Sequence, residues 1–111
     1  MNIWSLHKHR NIKLLLLTLQ HQLTFNHFCI EYSENNDFES VFLFKKNQPL
    51  LRAYIFTYGQ DPDKYGIHLE YPQFEETAFS NAIQAYEGYS LDQIVDTLAM
   101  HFETDDYELA V

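Results

Sequence analysis

Four runs rich in aromatic and β-branched residues fill the middle of the chain: Phe25 to Tyr32, Phe38 to Lys45, Leu50 to Tyr58 and Tyr65 to Tyr71. The connections between them are only four to six residues long. A parallel crossover needs a dozen residues or more, so this spacing predicts neighbouring antiparallel strands, an antiparallel four-stranded meander. The connecting segments are rich in turn formers: Ser33 to Asp37 with its Asn35-Asn36 pair, Lys46-Asn47-Gln48-Pro49, and Gly59-Gln60-Asp61-Pro62-Asp63-Lys64.

On either side of the meander the period changes. Over Leu6 to Gln22, residues Ile12, Leu15, Leu16 and Leu19, continued by Leu23, recur at the spacing of one helix face, and Ser5 can cap the start. Leu14 and Leu17 widen this stripe, while Lys8, Arg10 and Lys13 fall where cations oppose the positive end of the helix dipole. Downstream, Glu75 to Glu87 carries Phe79, Ile83 and Tyr86 at helical spacing, with Gly88 placed to stop it. Ser90-Leu91-Asp92-Gln93 then reads as a capping box that opens a last helix with Leu91, Ile94, Val95, Leu98 and Phe102 inward. The tail Thr104 to Val111 is acidic and either frays or adds a short edge strand. The expected architecture is α+β, one domain over residues 1–111, with an N-terminal helix, a four-stranded meander and two C-terminal helices. At 111 residues the chain has the length of a single domain.

Cys29 is the only cysteine, which rules out an internal disulfide and suits a reducing compartment. The longest apolar run, Leu14 to Leu17, falls far short of the ~20 residues of a membrane span, and no cleavage site of a secretory signal follows it. A soluble, cytoplasmic domain is expected. Net charge is −9, and it is unevenly placed: residues 1–60 sum to +2 and residues 61–111 to −11. Such a surface repels phosphate backbones and anionic lipid, so nucleic acid and membrane are excluded as ligands and a basic protein is the expected partner.

Strand patterning adds a second clue. Val41-Phe42-Leu43-Phe44 and Ala53 to Tyr58 put large apolar or aromatic groups on both faces of the sheet. Either the helices divide between the two faces, or one face is left for a partner. Tyr54, Phe56 and Tyr58 share a face if their strand is regular, and act as core or interface anchors. Aspartates Asp92 and Asp96 stand four apart on the last helix with Glu103 seven further on, so three carboxylates should project together at a small cost to the helix. Asp61 and Asp63 form the alternative acidic patch.

Catalytic and metal-binding readings fare poorly. His27, Cys29 and Glu31 alternate on one predicted strand and His68 and Glu70 on another, but in a simple meander those strands are not adjacent. No paired zinc ligands at helical or Cys-x-x-Cys spacing are present. The loop from Asp61 begins like a calcium loop, yet its twelfth position is Pro72 and not a bidentate glutamate. Cys29, between Phe28 and Ile30, suits packing better than nucleophilic attack. No enzyme activity, metal or cofactor is expected.

The pairing of Tyr54-Ile55-Phe56-Thr57-Tyr58-Gly59-Gln60 with Lys64-Tyr65-Gly66-Ile67-His68-Leu69-Glu70-Tyr71-Pro72, within a small acidic helix, meander, helix chain, resembles the immunity proteins of bacterial contact-dependent growth inhibition and related polymorphic toxin systems. The resemblance implies a cytoplasmic antitoxin that forms a heterodimer with a toxin domain and blocks its active site, often that of a nuclease such as an RNase. It carries no site residues with it. An acidic secretion chaperone or adaptor holding a client protein is the alternative, and a nucleic-acid mimic a third reading.

Overall fold

The computed structural model describes residues 3–23, 27–31, 38–71 and 82–103. The expected α+β domain and meander are present, with two corrections. The sheet has five strands, and the described chain holds two α-helices where three were expected. In chain order the elements are a 3-10 turn Ile3–Ser5, α1 (Arg10–Gln22), β1 (Phe28–Ile30), β2 (Ser40–Lys45), β3 (Gln48–Phe56), β4 (Tyr65–Tyr71), β5 (Ala82–Tyr89) and α2 (Leu91–Glu103). Every strand pairs antiparallel with its sequence neighbour, in the order β1-β2-β3-β4-β5.

The fifth strand is the main departure. Residues 82–87, expected inside a helix over Glu75 to Glu87, instead pair with β4, from Tyr71 opposite Ala82 to Ile67 opposite Tyr86. Ala82, Gln84, Ala85 and Glu87 favour helices when judged alone, but that preference is worth only tenths of a kcal/mol per residue and yields to ladder pairing. Gly88 does not stop a helix. Its φ of 71° lies at a bulge where Tyr65 faces Tyr89 and Ile67 faces Tyr86, so β5 carries one residue more than β4 there. The rest of the segment, residues 75–81, lies outside the described residues, as do 32–37 and 104–111.

Both helices pack on the same face of the sheet. Ile12, Leu15, Leu16 and Leu19 of α1 and Ile94, Val95, Leu98 and Phe102 of α2 form one cluster with Leu43, Ala53, Ile55 and Ile67, all essentially inaccessible to solvent. Each large aliphatic side chain so buried contributes ~1.5 to 3 kcal/mol. The helices therefore do not divide between the sheet's faces. Among the described residues, no helix lies over the other face.

Helix ends show where local rules held. Ser90 and Gln93 form the expected reciprocal box: the Gln93 amide donates to Ser90 Oγ at 3.2 Å and the Ser90 amide to Gln93 Oε1 at 2.8 Å. At α1 the expectation is corrected. Ser5 belongs to the 3-10 turn, and the cap is His9, whose Nδ1 accepts the Asn11 amide at 3.1 Å. The start moves because the preceding segment is tied to the sheet: the Lys8 ammonium donates to the Ser40 carbonyl at 2.6 Å and the His9 amide to the Phe38 carbonyl at 2.7 Å. Lys8 thus precedes the helix and does not oppose its dipole.

Candidate functional site

Alternation along β3 sorts its residues by face. Leu51, Ala53 and Ile55 point into the core, while Arg52, Tyr54 and Phe56 point to the helix-free face. There Phe42, Tyr54 and His68 stand opposite one another across three strands. Ring centroids lie 4.5 Å apart for Phe42 and Tyr54, 5.6 Å for Tyr54 and Phe56, and 4.8 Å for Phe56 and Tyr58. The three expected anchors thus form one stack, but they are not equivalent. Phe56 is buried, Tyr54 half-buried and Tyr58 exposed. Phe56 is buried without a covering helix because Gly66, its partner on β4, leaves bare backbone for the ring to lie on. Arg52 borders the stack, its guanidinium 4.4 Å from the Phe42 ring centroid and 2.8 Å from the Glu31 carboxylate.

The acidic residues occupy two neighbouring places. Asp92, Asp96 and Glu103 are all exposed on the outer face of α2, as their spacing predicts. Exposed Met100, one turn beyond Asp96, stands in the same row. Asp61 and Asp63 are exposed in the β3–β4 connection, where Asp63 Oδ1 accepts from Asn11 Nδ2 at 3.3 Å. Tyr65, two residues on, donates to the Asn11 carbonyl at 2.9 Å; burial, with the Asp63 charge adding to it, pushes its phenol up to about 12. Because Tyr65 faces Tyr89, just before α2, the Asp61 and Asp63 loop and the start of α2 lie at the same end of the sheet. Glu87 joins them there, accepting from Gln60 Nε2 at 3.2 Å. Of the two patches treated as alternatives in the sequence, Asp61 and Asp63 thus share an end of the sheet with Asp92 at the start of α2, whereas Glu103 stands at the far end of that helix.

A groove of about 360 Å3 runs between α2 and the strands β4 and β5, the latter at the sheet's edge. Tyr71, Gln84, Tyr86, Tyr89, Met100 and His101 line it. Tyr86 and Tyr89 stack with centroids 5.3 Å apart, and the Tyr71 hydroxyl donates to Gln84 Oε1 at 2.9 Å. None of these residues was singled out as a binding residue in the sequence, since the groove exists only if residues 82–89 form a strand.

His101 closes the floor of the groove with its Nε2 2.8 Å from the Arg52 carbonyl. Burial holds its imidazole below the usual value, Lys45 adds to that lowering, and the carbonyls of Arg52 and Glu70 partly oppose it. A histidine whose folded value is depressed loses stability as pH falls, because the unfolded chain takes up the proton first. Folding free energy should therefore drop below pH ~6.5, with a slope of at most about 1.4 kcal/mol per pH unit from this residue. Urea denaturation at pH 5.5 and 7.5 tests this: His101→Gln should show a flatter dependence than the parent, and equal slopes would reject the assignment.

Other candidate chemistry stays dispersed. β2 and β3 separate Cys29 on β1 from His68 and Glu70 on β4. Among the described residues no group of three or more His, Cys, Asp or Glu side chains is placed to hold a metal, and no helix is long and apolar enough to cross a membrane. Set against known proteins, the chain matches no family model, no curated protein and no solved structure.

Proposed function

We propose that this protein is an immunity protein that binds a cognate basic toxin domain, such as an RNase, and blocks its active site. The observation that carries the reading is the set of exposed carboxylates Asp61, Asp63, Glu87, Asp92 and Asp96 towards one end of the sheet, which outnumber Lys64 of their own segment and Arg10 and Lys13, brought to the same end by the Asn11–Asp63 bond. Exposed carboxylates contribute little to folding, and like charges at Asp92 and Asp96 cost the helix ~0.2 to 0.5 kcal/mol. Against a toxin cleft built to hold phosphates, the same carboxylates meet the cations that would otherwise bind substrate. Adjoining aromatic surface supplies contact area with few rotors to freeze.

The test is protection of cells. A basic toxin domain encoded beside this gene should kill when expressed alone and fail to kill when this protein is co-expressed, with the two eluting as one complex. Killing unchanged by co-expression, or no complex, would overturn the reading. In the purified pair, the association rate constant should fall about 10- to 100-fold between 50 mM and 1 M salt, as the Debye length shrinks to about 3 Å. A flat salt response in stopped-flow mixing would remove charge from the mechanism.

A further inference from the structure

The groove between α2 and β5 combines three properties that together specify what it would hold. Its walls are aromatic, with Tyr86 and Tyr89 stacked along β5 and Tyr71 across from them. Its lip on α2 is Met100, 73% exposed, a flexible and polarisable side chain of the kind that adapts to a guest. Outside that lip run the carboxylates. At 100° per residue, Asp92, Asp96 and Glu103 fall within one narrow arc of α2, and Met100 lies between that arc and the groove. A tyrosine-lined trough of mixed polarity, with Gln84 and Thr97 among its lining residues and negative charge outside its lip, suits a side chain with a hydrocarbon stem and a cationic head.

No segment near the groove in the sequence supplies such a side chain. Residues 65–111 contain no Lys or Arg, and the stretches on either side carry Glu75 and Glu76, and Asp105, Asp106 and Glu108. Within residues 65–111, then, no Lys or Arg competes with a cationic side chain supplied by another molecule. At about 360 Å3 the groove is at the small end of ligand-binding sites, suited to individual side chains and not to a whole docked helix. His101 at its floor is held towards the neutral form by burial, so it does not repel a cation.

We propose that this groove seats an arginine- or lysine-bearing segment of a partner protein, the aliphatic stems lying against Tyr86, Tyr89 and Met100 and the cationic heads reaching Asp96 and Glu103. The assignment rests on the basic-partner reading above and gives that partner a specific foothold.

A short capped peptide of alternating arginine and leucine, with a glutamate-for-arginine peptide as control, tests the site on the full-length protein by NMR. The arginine peptide should shift the Met100 methyl and the Tyr86 and Tyr89 ring signals, and the control should not. Asp96→Lys with Glu103→Lys should weaken the peptide at least tenfold, as should Tyr86→Ala, with melting temperatures kept near that of the parent. Shifts centred on Asp61 and Asp63 or on Tyr54 and Tyr58, or equal binding of the control, would overturn the assignment. So would a dimer in sedimentation that Met100→Glu abolishes, since the occupant would then be a second copy of the chain. The two readings fail separately. A toxin complex that tolerates both groove variants removes the groove alone, whereas peptide seating with no toxin complex removes the immunity reading alone.

Discussion

Phe56→Ala should cost ~3 to 5 kcal/mol of folding stability, a core-sized loss on a face that no described helix covers. The reason is the fit between Phe56 and Gly66. The two are directly paired across β3 and β4, and a β-carbon built on Gly66 would overlap the ring carbons of Phe56. Tyr54, Tyr58 and His68 hold the ring from its other sides, His68 with a centroid distance of 5.4 Å, so it cannot swing away freely. Gly66→Ala should accordingly destabilise by ~1 to 3 kcal/mol through overpacking. Once the ring is gone, the added methyl has room. The double variant Phe56→Ala with Gly66→Ala should therefore be more stable than the sum of the two losses predicts, with a coupling above about 1 kcal/mol in urea denaturation. Additive losses would show that the ring does not rest on Gly66. Tyr58→Ala provides the contrast: at 42% exposure it should leave melting nearly unchanged.

What the sequence made legible follows the range of the interactions. The Ser90 to Gln93 box was readable because both partners lie within four residues, and β4 matched its expected bounds because the turn-rich segment Gly59 to Lys64 precedes its apolar run and Pro72 follows it. The start of α1 was not, because it depends on a lysine reaching a carbonyl 32 residues away. β5 was hidden by helix-favouring composition, and its strand state depends on ladder bonds to β4 that no local window contains. For the candidate site the same division applies. The spacing of Asp92, Asp96 and Glu103 placed them on one helix face, and the stacking of Tyr54, Phe56 and Tyr58 followed from strand alternation. The tyrosine groove could not be seen, since it needs β5 beside α2. One signal did point to an element boundary there: Gly88-Tyr89 directly precedes the capping box that begins at Ser90.

Phe102→Ala should be comparably severe, ~3 to 5 kcal/mol, for a different reason. Phe102 is fully buried in the last turn of α2, and its ring stacks on Phe28 with a centroid distance of 6.3 Å. β1 is an edge strand of only three residues, so few ladder bonds hold it and Phe28 is its principal anchor. Truncating Phe102 removes that anchor's partner, and the loss should therefore be local before it is global. In hydrogen exchange the amides of Phe28 to Ile30 should lose protection first, while those of β3 and β4 should fall only with the overall free energy. A loss below about 1 kcal/mol, or protection falling uniformly across the sheet, would contradict this account. The neighbouring substitution sharpens the test. Glu103 is exposed one residue further on, so Glu103→Lys should change stability by no more than ~0.5 kcal/mol while weakening a basic partner. Two adjacent positions at the end of α2 would then separate folding from recognition, one side of the helix holding β1 and the other presenting charge.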